Sequence, residues 1–203
     1  MTKPVSVTVI DNGPLKISGE AVSVHYCGEA LESPAGKDVY LCRCGESSNA
    51  PYCDGSHSRT GFVGASEPGE KKEIRVWEGR TIKTYFNSNT CMHVFLCKPL
   101  KELRQRELDG DDSAAEEIAR VVRTCPSGAL SFEAKDVSTP SPIDGPDVDI
   151  MEGGEVRIQV PFEINAELQE RQAEDRATLC RCGQSKNKPF CDGTHKAAGF
   201  EAE

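Results

Sequence analysis

The sequence is short of the residues that build large cores and of the runs that cross membranes. Leu, Ile, Val and Phe together make up 41 of the 203 residues, about the 20% level at which a charged chain begins to look disordered rather than globular. The core must therefore be thin. No stretch is apolar over the roughly 18 residues a membrane helix needs, which reads as a soluble chain without a membrane partner. The opening residues "MTKPVSVTVIDNGPLKISGE" have no uninterrupted apolar run after Lys3. Neither a secretory signal nor a transit peptide is expected, and the cytoplasm is the default compartment. Basic surface is scarce as well: a formal net charge of -9 disfavours nucleic acid as a partner. G-x-S-x-G, a phosphate loop, a dinucleotide fingerprint and H-E-x-x-H are all missing, so the expectation is a protein that is not an enzyme.

What the chain does have is cysteine, ten in all. Small domains with thin cores commonly depend on a staple, either disulfides or a metal whose binding free energy becomes folding free energy. Without a secretion signal, clustered cysteines point to metal, because the cytosol keeps thiols reduced. The clustering is specific. "LCRCGESSNAPYCDGSH" begins at Leu41 and "LCRCGQSKNKPFCDGTH" at Leu179, both obeying C-x-C-x2-S-x3-P-x-C-D-G-[ST]-H. Cys42 and Cys44 can present two thiolates to one metal ion, while Cys53 and His57 return from the far side of a turn at Pro51. Cys180, Cys182, Cys191 and His195 repeat the set around Pro189. Two ligands plus two suit a two-iron cluster with one iron on each pair.

Local chemistry suggests roles for the fixed positions. Asp54 and Asp192 are natural N-caps, which would place Gly55-Ser56-His57 and its counterpart in a first helical turn beside the positive end of the dipole. Ser47 and Ser185 are expected to donate hydroxyl hydrogen bonds to a sulfur, and Pro51 and Pro189 to stiffen the loop. Arg43 and Arg181 read as solvated surface. A structural zinc site is the plainer alternative, since three cysteines and a histidine are also a zinc set. Zinc ribbons, however, usually use C-x2-4-C pairs and lack the C-D-G-[ST]-H ending.

At Cys42, Cys44, Cys53, Asp54, Gly55, Ser56 and His57, and again in the second copy with Thr194, the sequence closely resembles the CDGSH iron-sulfur family. The resemblance implies a [2Fe-2S] cluster on three cysteines and one histidine in each copy, Cys42, Cys44, Cys53 and His57 in the first and Cys180, Cys182, Cys191 and His195 in the second. It also implies a small fold with a β-cap. Single-motif members of the family pair as dimers, so this chain is expected to be a monomer that forms the same pair internally. Neutral imidazole competes with protons at about pH 6 to 7, so acid should loosen iron held by His57 or His195, and histidine ligation should raise the cluster potential.

The repeated unit is larger than the motif. "VTVIDNGPLKISG" and "VDIMEGGEVRIQV" precede the two copies and read as strand, turn, strand, with Asn12-Gly13 and Gly153-Gly154 at the turns. Gly61-Phe62 and Gly199-Phe200 follow them at equal spacing. Between the copies "EIRVWEGRTIKTYF" reads as a hairpin turning at Glu78-Gly79. "KPLKELRQREL" reads as a helix after Pro99, and the stretch from Asp112 as a helix with Ile118, Val121 and Val122 on one face, then a Cys-Pro stop and a closing strand. Residues 71–134 resemble the divergent single-cluster 4Fe-4S ferredoxin-like domains, keeping Cys91, Cys97 and Cys125-Pro126 but placing Val94 where a middle ligand belongs. Several states stay open for this segment: a third cluster of three irons, a cubane completed by His93 or an external ligand, or a degenerate fold in which these cysteines simply pack.

The expected architecture is α+β: a first β-cap and cluster domain at 1–68, the ferredoxin-like segment at 71–134, a linker at 135–147 holding Pro140, Pro142 and Pro146, and a second cluster domain at 148–203. Cys27 is expected to be a small buried residue and His25 an ordinary strand histidine. Lys186, Lys188 and Lys196 read as surface variation. The functional expectation is electron transfer, cluster storage and transfer, or redox sensing with a redox or cluster-acceptor protein. The alternatives are a structural metal module that mediates contacts and an iron-sulfur subunit of a larger oxidoreductase.

Overall fold

A computed structural model describes residues 4–19, 22–31, 38–66, 72–137, 140, 145–168 and 170–201. Pro142 and the expected boundaries at residues 68 and 71 lie outside the described residues.

Short β-rich runs split by glycine turns give mostly small sheets. The first half contains β1 (Val5–Val9), β2 (Leu15–Ser18), β3 (Val24–Tyr26), β4 (Glu29–Ala30), β5 (Val39–Leu41) and the one-turn helix α1 (His57–Thr60). The middle contains β6 (Arg75–Glu78), β7 (Ile82–Phe86), α2 (Leu100–Leu108), α3 (Ser113–Arg123) and β8 (Leu130–Ala134). The last part repeats the first with β9 (Val148–Ile150), β10 (Val156–Ile158), β11 (Phe162–Ile164), β12 (Ala177–Leu179) and α4 (Thr194–Ala198). The class is α+β, with two similar units flanking a different middle segment.

The two units exchange strands reciprocally. One sheet runs β11-β1-β2-β5 and the other β12-β10-β9-β3-β4. In the first, β11 of the late unit lies parallel to β1, with Val7 opposite Ile164. In the second, β3 of the early unit lies parallel to β9, with Tyr26 opposite Ile150. The period-two alternation sends Val7, Leu15, Ile17 and Leu41 to the same core as Ile150, Val156, Ile158 and Leu179, all at most 1% exposed. Each such side chain contributes about 1.5–3 kcal/mol by leaving water. A thin supply of apolar residues is thus concentrated in one shared core rather than divided between two.

Cys27 is exposed, contrary to the sequence reading. With Gly28 it forms the two-residue turn joining β3 to β4, both at positive φ (51° and 82°), a geometry that a hairpin turn demands and that points the side chain outward. His25 sits in β3 as expected, its Nδ1 2.8 Å from the Gly28 carbonyl oxygen.

The middle segment is a three-stranded antiparallel sheet, β6-β7-β8, covered by α2 and α3 around Ile82, Leu103, Ile118, Ala119, Val122 and Leu130. Val121, on the same helix face, is half-buried against this cluster. α2 is tied to the β6–β7 turn by a fully buried carboxylate, Glu107, which accepts from the backbone N–H of Arg80 (3.0 Å) and of Thr81 (2.7 Å).

Candidate metal centre

β5 and β12 deliver the two C-x-C stretches. Continuing the strand alternation past Leu41, the Cys42 and Cys44 side chains share one side, with their sulfurs 3.6 Å apart, and Arg43 faces the other. The copy at Cys180 and Cys182 has its sulfurs 3.8 Å apart. Each loop then bends back through Pro51 or Pro189 and pairs with its own strand at Leu41–Tyr52 and Leu179–Phe190. This returns Cys53 with His57, Sγ to Nδ1 3.4 Å, and Cys191 with His195, 3.3 Å.

The fixed serines and aspartates hold this loop rather than touching sulfur. Ser47 Oγ donates to the Tyr52 carbonyl (2.6 Å) and accepts from the Asn49 N–H; Ser185 does the same with Phe190 (2.6 Å) and Asn187. The expected bond from these serines to a thiolate is therefore corrected: the hydroxyl is used to close the turn. The carboxylate of Asp54 accepts from the Ser56 N–H (2.9 Å) and, through its other oxygen, from the N–H and hydroxyl of Ser48. These bonds, the Ser56 N–H foremost, hold Asp54 well below the usual carboxylate range. Asp192 bridges Thr194 and Lys186 in the same way. The aspartates are loop ties, not N-caps. Gly55 (φ 88°) and Gly193 (φ 85°) cannot be helical, so α1 starts only at His57 and α4 at Thr194.

Arg43 and Arg181 are also corrected: each is 2% exposed. Pointing away from the thiols, Arg43 donates to the carbonyls of Gly13 (3.0 Å), Ile10 (2.9 Å) and Gly64 (3.2 Å) and lies over the Phe62 ring. Arg181 donates to the Met151 carbonyl (2.7 Å) and lies over Phe200. This explains why each copy repeats a Gly-Phe tail. The arginine joins the β-turn before the motif to the tail after it.

The two ligand loops abut. A Cβ on Gly45 would lie 2.9 Å from the Cys182 carbonyl oxygen, and one on Gly183 would lie 2.6 Å from that of Cys44. Burial pushes the Cys44 thiol up to about 11 and Cys191 up to about 12, while the hydrogen bond from Cys180 holds Cys182 down at about 7. Thiols held this high ionise readily only against the charge of a metal.

Two sulfurs on one tetrahedral ion with 2.3 Å bonds sit about 3.8 Å apart, and a sulfur and a nitrogen about 3.5 Å. The four pairs match this spacing. Within the eight motif ligands, however, no three donor atoms lie within 4.8 Å of one another. Four ligands on one ion would, so the arrangement fits two ions per site, one on each pair. Such centres define a cysteine-rich metal protein with paired soft ligands.

Comparison with protein families places the description "Iron-binding zinc finger CDGSH type" on residues 12–58 and 150–196 and "Divergent 4Fe-4S mono-cluster" on residues 77–135. Two CDGSH iron-binding domains thus flank a divergent 4Fe-4S segment in this chain. No curated protein and no solved structure matches it.

In the middle segment Cys91, Cys97 and Cys125 line one small, mostly apolar cavity together with His93, whose Nδ1 lies 3.9 Å from Cys91 Sγ. Val94 also lines it and offers no ligand atom. This cavity faces the second CDGSH motif: the Met92 carbonyl approaches Gly193, and the Asn187 side chain donates to the Asn89 carbonyl (2.6 Å).

Sequence reading missed Glu155. Its carboxylate is 2% exposed, with Oε2 3.6 Å from His195 Nε2, and Glu155, Cys191 and His195 bring donor atoms within 4.8 Å of one another. Burial pushes His195 below its ordinary value, and Glu155 opposes that shift. The signal was present in "MEGGEV", where a glutamate stands at a position the first copy fills with Pro14.

Proposed function

We propose that the protein is an electron carrier. It holds one [2Fe-2S] cluster on Cys42, Cys44, Cys53 and His57 and a second on Cys180, Cys182, Cys191 and His195. When bound, such clusters accept and return one electron at a time. The observation that supports this reading is the close approach of the two ligand loops at Gly45 and Gly183, since clusters held on those loops would be neighbours. Buried Arg43 and Arg181 hold the loops rigid, so little rearrangement accompanies a change of charge. The reading includes a third centre on Cys91, Cys97 and Cys125, with His93 as the remaining nitrogen donor, set against the second motif.

The protein acts as a single chain whose two units form an internal pair. It serves a redox partner protein, not a substrate, in a compartment that keeps thiols reduced, the cytoplasm. No helix among the described residues is long and apolar enough to cross a membrane. A second reading, donation of an intact cluster to an acceptor protein, is favoured by one feature: Cys53 and His57 are only partly buried.

The test is the visible and electron paramagnetic resonance spectrum of anaerobically purified protein before and after dithionite. Charge-transfer bands that bleach as two or more electrons are taken up per chain support the carrier. Protein that iron and sulfide cannot colour, and that binds zinc instead, overturns it.

A further inference from the structure

The two CDGSH units are built on one plan, but at one point their chemistry differs sharply. Register identifies the point. In the first unit the Ile10 N–H donates to the Pro14 carbonyl; in the second the Met151 N–H donates to the Glu155 carbonyl. Pro14 and Glu155 are therefore equivalent positions, immediately before β2 and β10. One is a ring with no polar side-chain atom. The other is a carboxylate at 2% exposure.

Burying a carboxylate is costly unless it is paired and hydrogen-bonded. Arg157 Nε donates to Oε1 at 2.8 Å, which fixes that oxygen and turns the other toward His195, whose Nε2 lies 3.6 Å from Oε2. The ring's opposite nitrogen, Nδ1, lies 3.3 Å from Cys191 Sγ. His195 thus presents one nitrogen to the thiol side and the other to a fixed negative charge. Among the described residues, no such carboxylate joins Cys53 and His57.

Resting on the ligand sets proposed above, we propose that Glu155 is a positioning residue that makes the second site the tighter and more electron-rich of the two. It keeps the His195 proton on Nε2, leaves Nδ1 free to ligate, and strengthens that nitrogen as a donor, as carboxylate partners of ligating histidines generally do. Among the described residues, His57 has no such partner. The two clusters are then unequal: the second is retained and harder to reduce, and the first is the exchangeable one.

The experiment uses the full chain loaded with iron and sulfide. Colour loss to excess EDTA is followed in time, and the midpoints of both clusters are read by paramagnetic resonance during titration with dithionite, the electron source. Wild type is expected to lose colour in two phases of similar amplitude and to show two midpoints. Glu155→Gln is expected to speed the slow phase alone, by about 10- to 100-fold, the usual effect of removing the outer carboxylate partner of a ligating histidine, and to raise only the lower midpoint. A purely structural role would move both phases and both midpoints together, and that result overturns the inference. So does a variant indistinguishable from wild type. Should Glu155→Gln not fold, Arg157→Gln keeps the carboxylate but frees it; selective acceleration of the slow phase supports the proposal and wild-type behaviour overturns it. A wild type with two clusters but one phase and one midpoint sinks this inference alone, whereas a wild type that takes up no cluster sinks the carrier reading as well.

Discussion

The first and second CDGSH sites share a loop but not a setting. A Cβ on Gly55 would meet nothing within 4 Å, whereas one on Gly193 would lie 2.7 Å from the Met92 carbonyl oxygen. His195 and Cys191 are buried, while His57 and Cys53 are half-exposed. The middle segment causes the difference. It follows the first motif in sequence but docks on the second, through Met92 and Asn89 on one side and through the strap before β12 on the other. There Arg176 Nε donates to the Cys125 carbonyl (3.1 Å), the Ala173 N–H donates to Gly128 (3.1 Å), and Arg123 pairs with Asp175. Two loops of one sequence pattern thus sit in unequal settings. On the carrier reading the second cluster joins the middle centre to the first, and the first faces outward.

The widest break in the comparison comes from removing one site at a time. On the proposed ligand sets, Cys53→Ser and Cys191→Ser each abolish one [2Fe-2S] cluster and its share of the visible absorbance. Their mechanical effects should differ. Loss of the second cluster loosens the loop that carries Asn187 and Gly193, so hydrogen exchange across residues 72–134 should speed up in Cys191→Ser and stay near wild type in Cys53→Ser. Equal exchange in both would mean that the middle segment does not depend on the second site.

Next comes the arginine pair. Arg43→Ala strands two carbonyl acceptors, on Gly13 and Gly64, while the Ile10 carbonyl keeps the Gly13 N–H (3.0 Å), and each unsatisfied buried group costs about 1–3 kcal/mol. In Arg181→Ala the Met151 carbonyl still accepts from the Gly154 N–H (3.1 Å). Both variants leave a cavity, so their difference isolates the carbonyls. Chemical denaturation should find Arg43→Ala the less stable by about 2 kcal/mol or more.

These arginines also mark the limit of what could be read from sequence. The eight candidate ligands, the hairpins at Asn12-Gly13 and Gly153-Gly154, the helices after Pro99 and Asp112 and the α+β class were all legible, because each rests on local spacing or turn chemistry. Whether Arg43 is buried was not legible: the sequence shows its neighbours along the strand, but the carbonyls it satisfies belong to residues 10, 13 and 64. The reciprocal exchange of β3 and β11 is likewise a pairing over more than a hundred residues with no local signature. Ser47 and Asp54 were assigned roles from residue type and place in the motif; the competing partner that won was the loop's own backbone. Glu155 fell between these cases, visible as a mismatch between the two copies but meaningful only once His195 lay beside it.

The glycine pair gives a smaller effect. Gly55→Ala and Gly193→Ala share the strain of an L-residue at φ near 90°, about 1–3 kcal/mol. Only the second also drives a methyl against the Met92 carbonyl, adding about 1–3 kcal/mol of overpacking. The expected order of denaturation midpoints is therefore wild type, Gly55→Ala, Gly193→Ala. Equal losses would mean that the middle segment yields at Met92 without cost.

The smallest effect is the cleanest probe of docking. Asn49 and Asn187 are equivalent residues of the two loops. Asn49 is exposed, whereas Asn187 Nδ2 donates to the Asn89 carbonyl at 2.6 Å. A single hydrogen bond of this kind is worth about 0.5–1.5 kcal/mol net. Asn187→Ala should cost that much and Asn49→Ala close to nothing, measured against the same loaded protein. Neither residue touches a sulfur in the described contacts, so the absorbance of both variants should match wild type. A change in stability without a change in colour then assigns the loss to the junction between the middle segment and the second loop, and a change in colour would place Asn187 in the cluster environment instead.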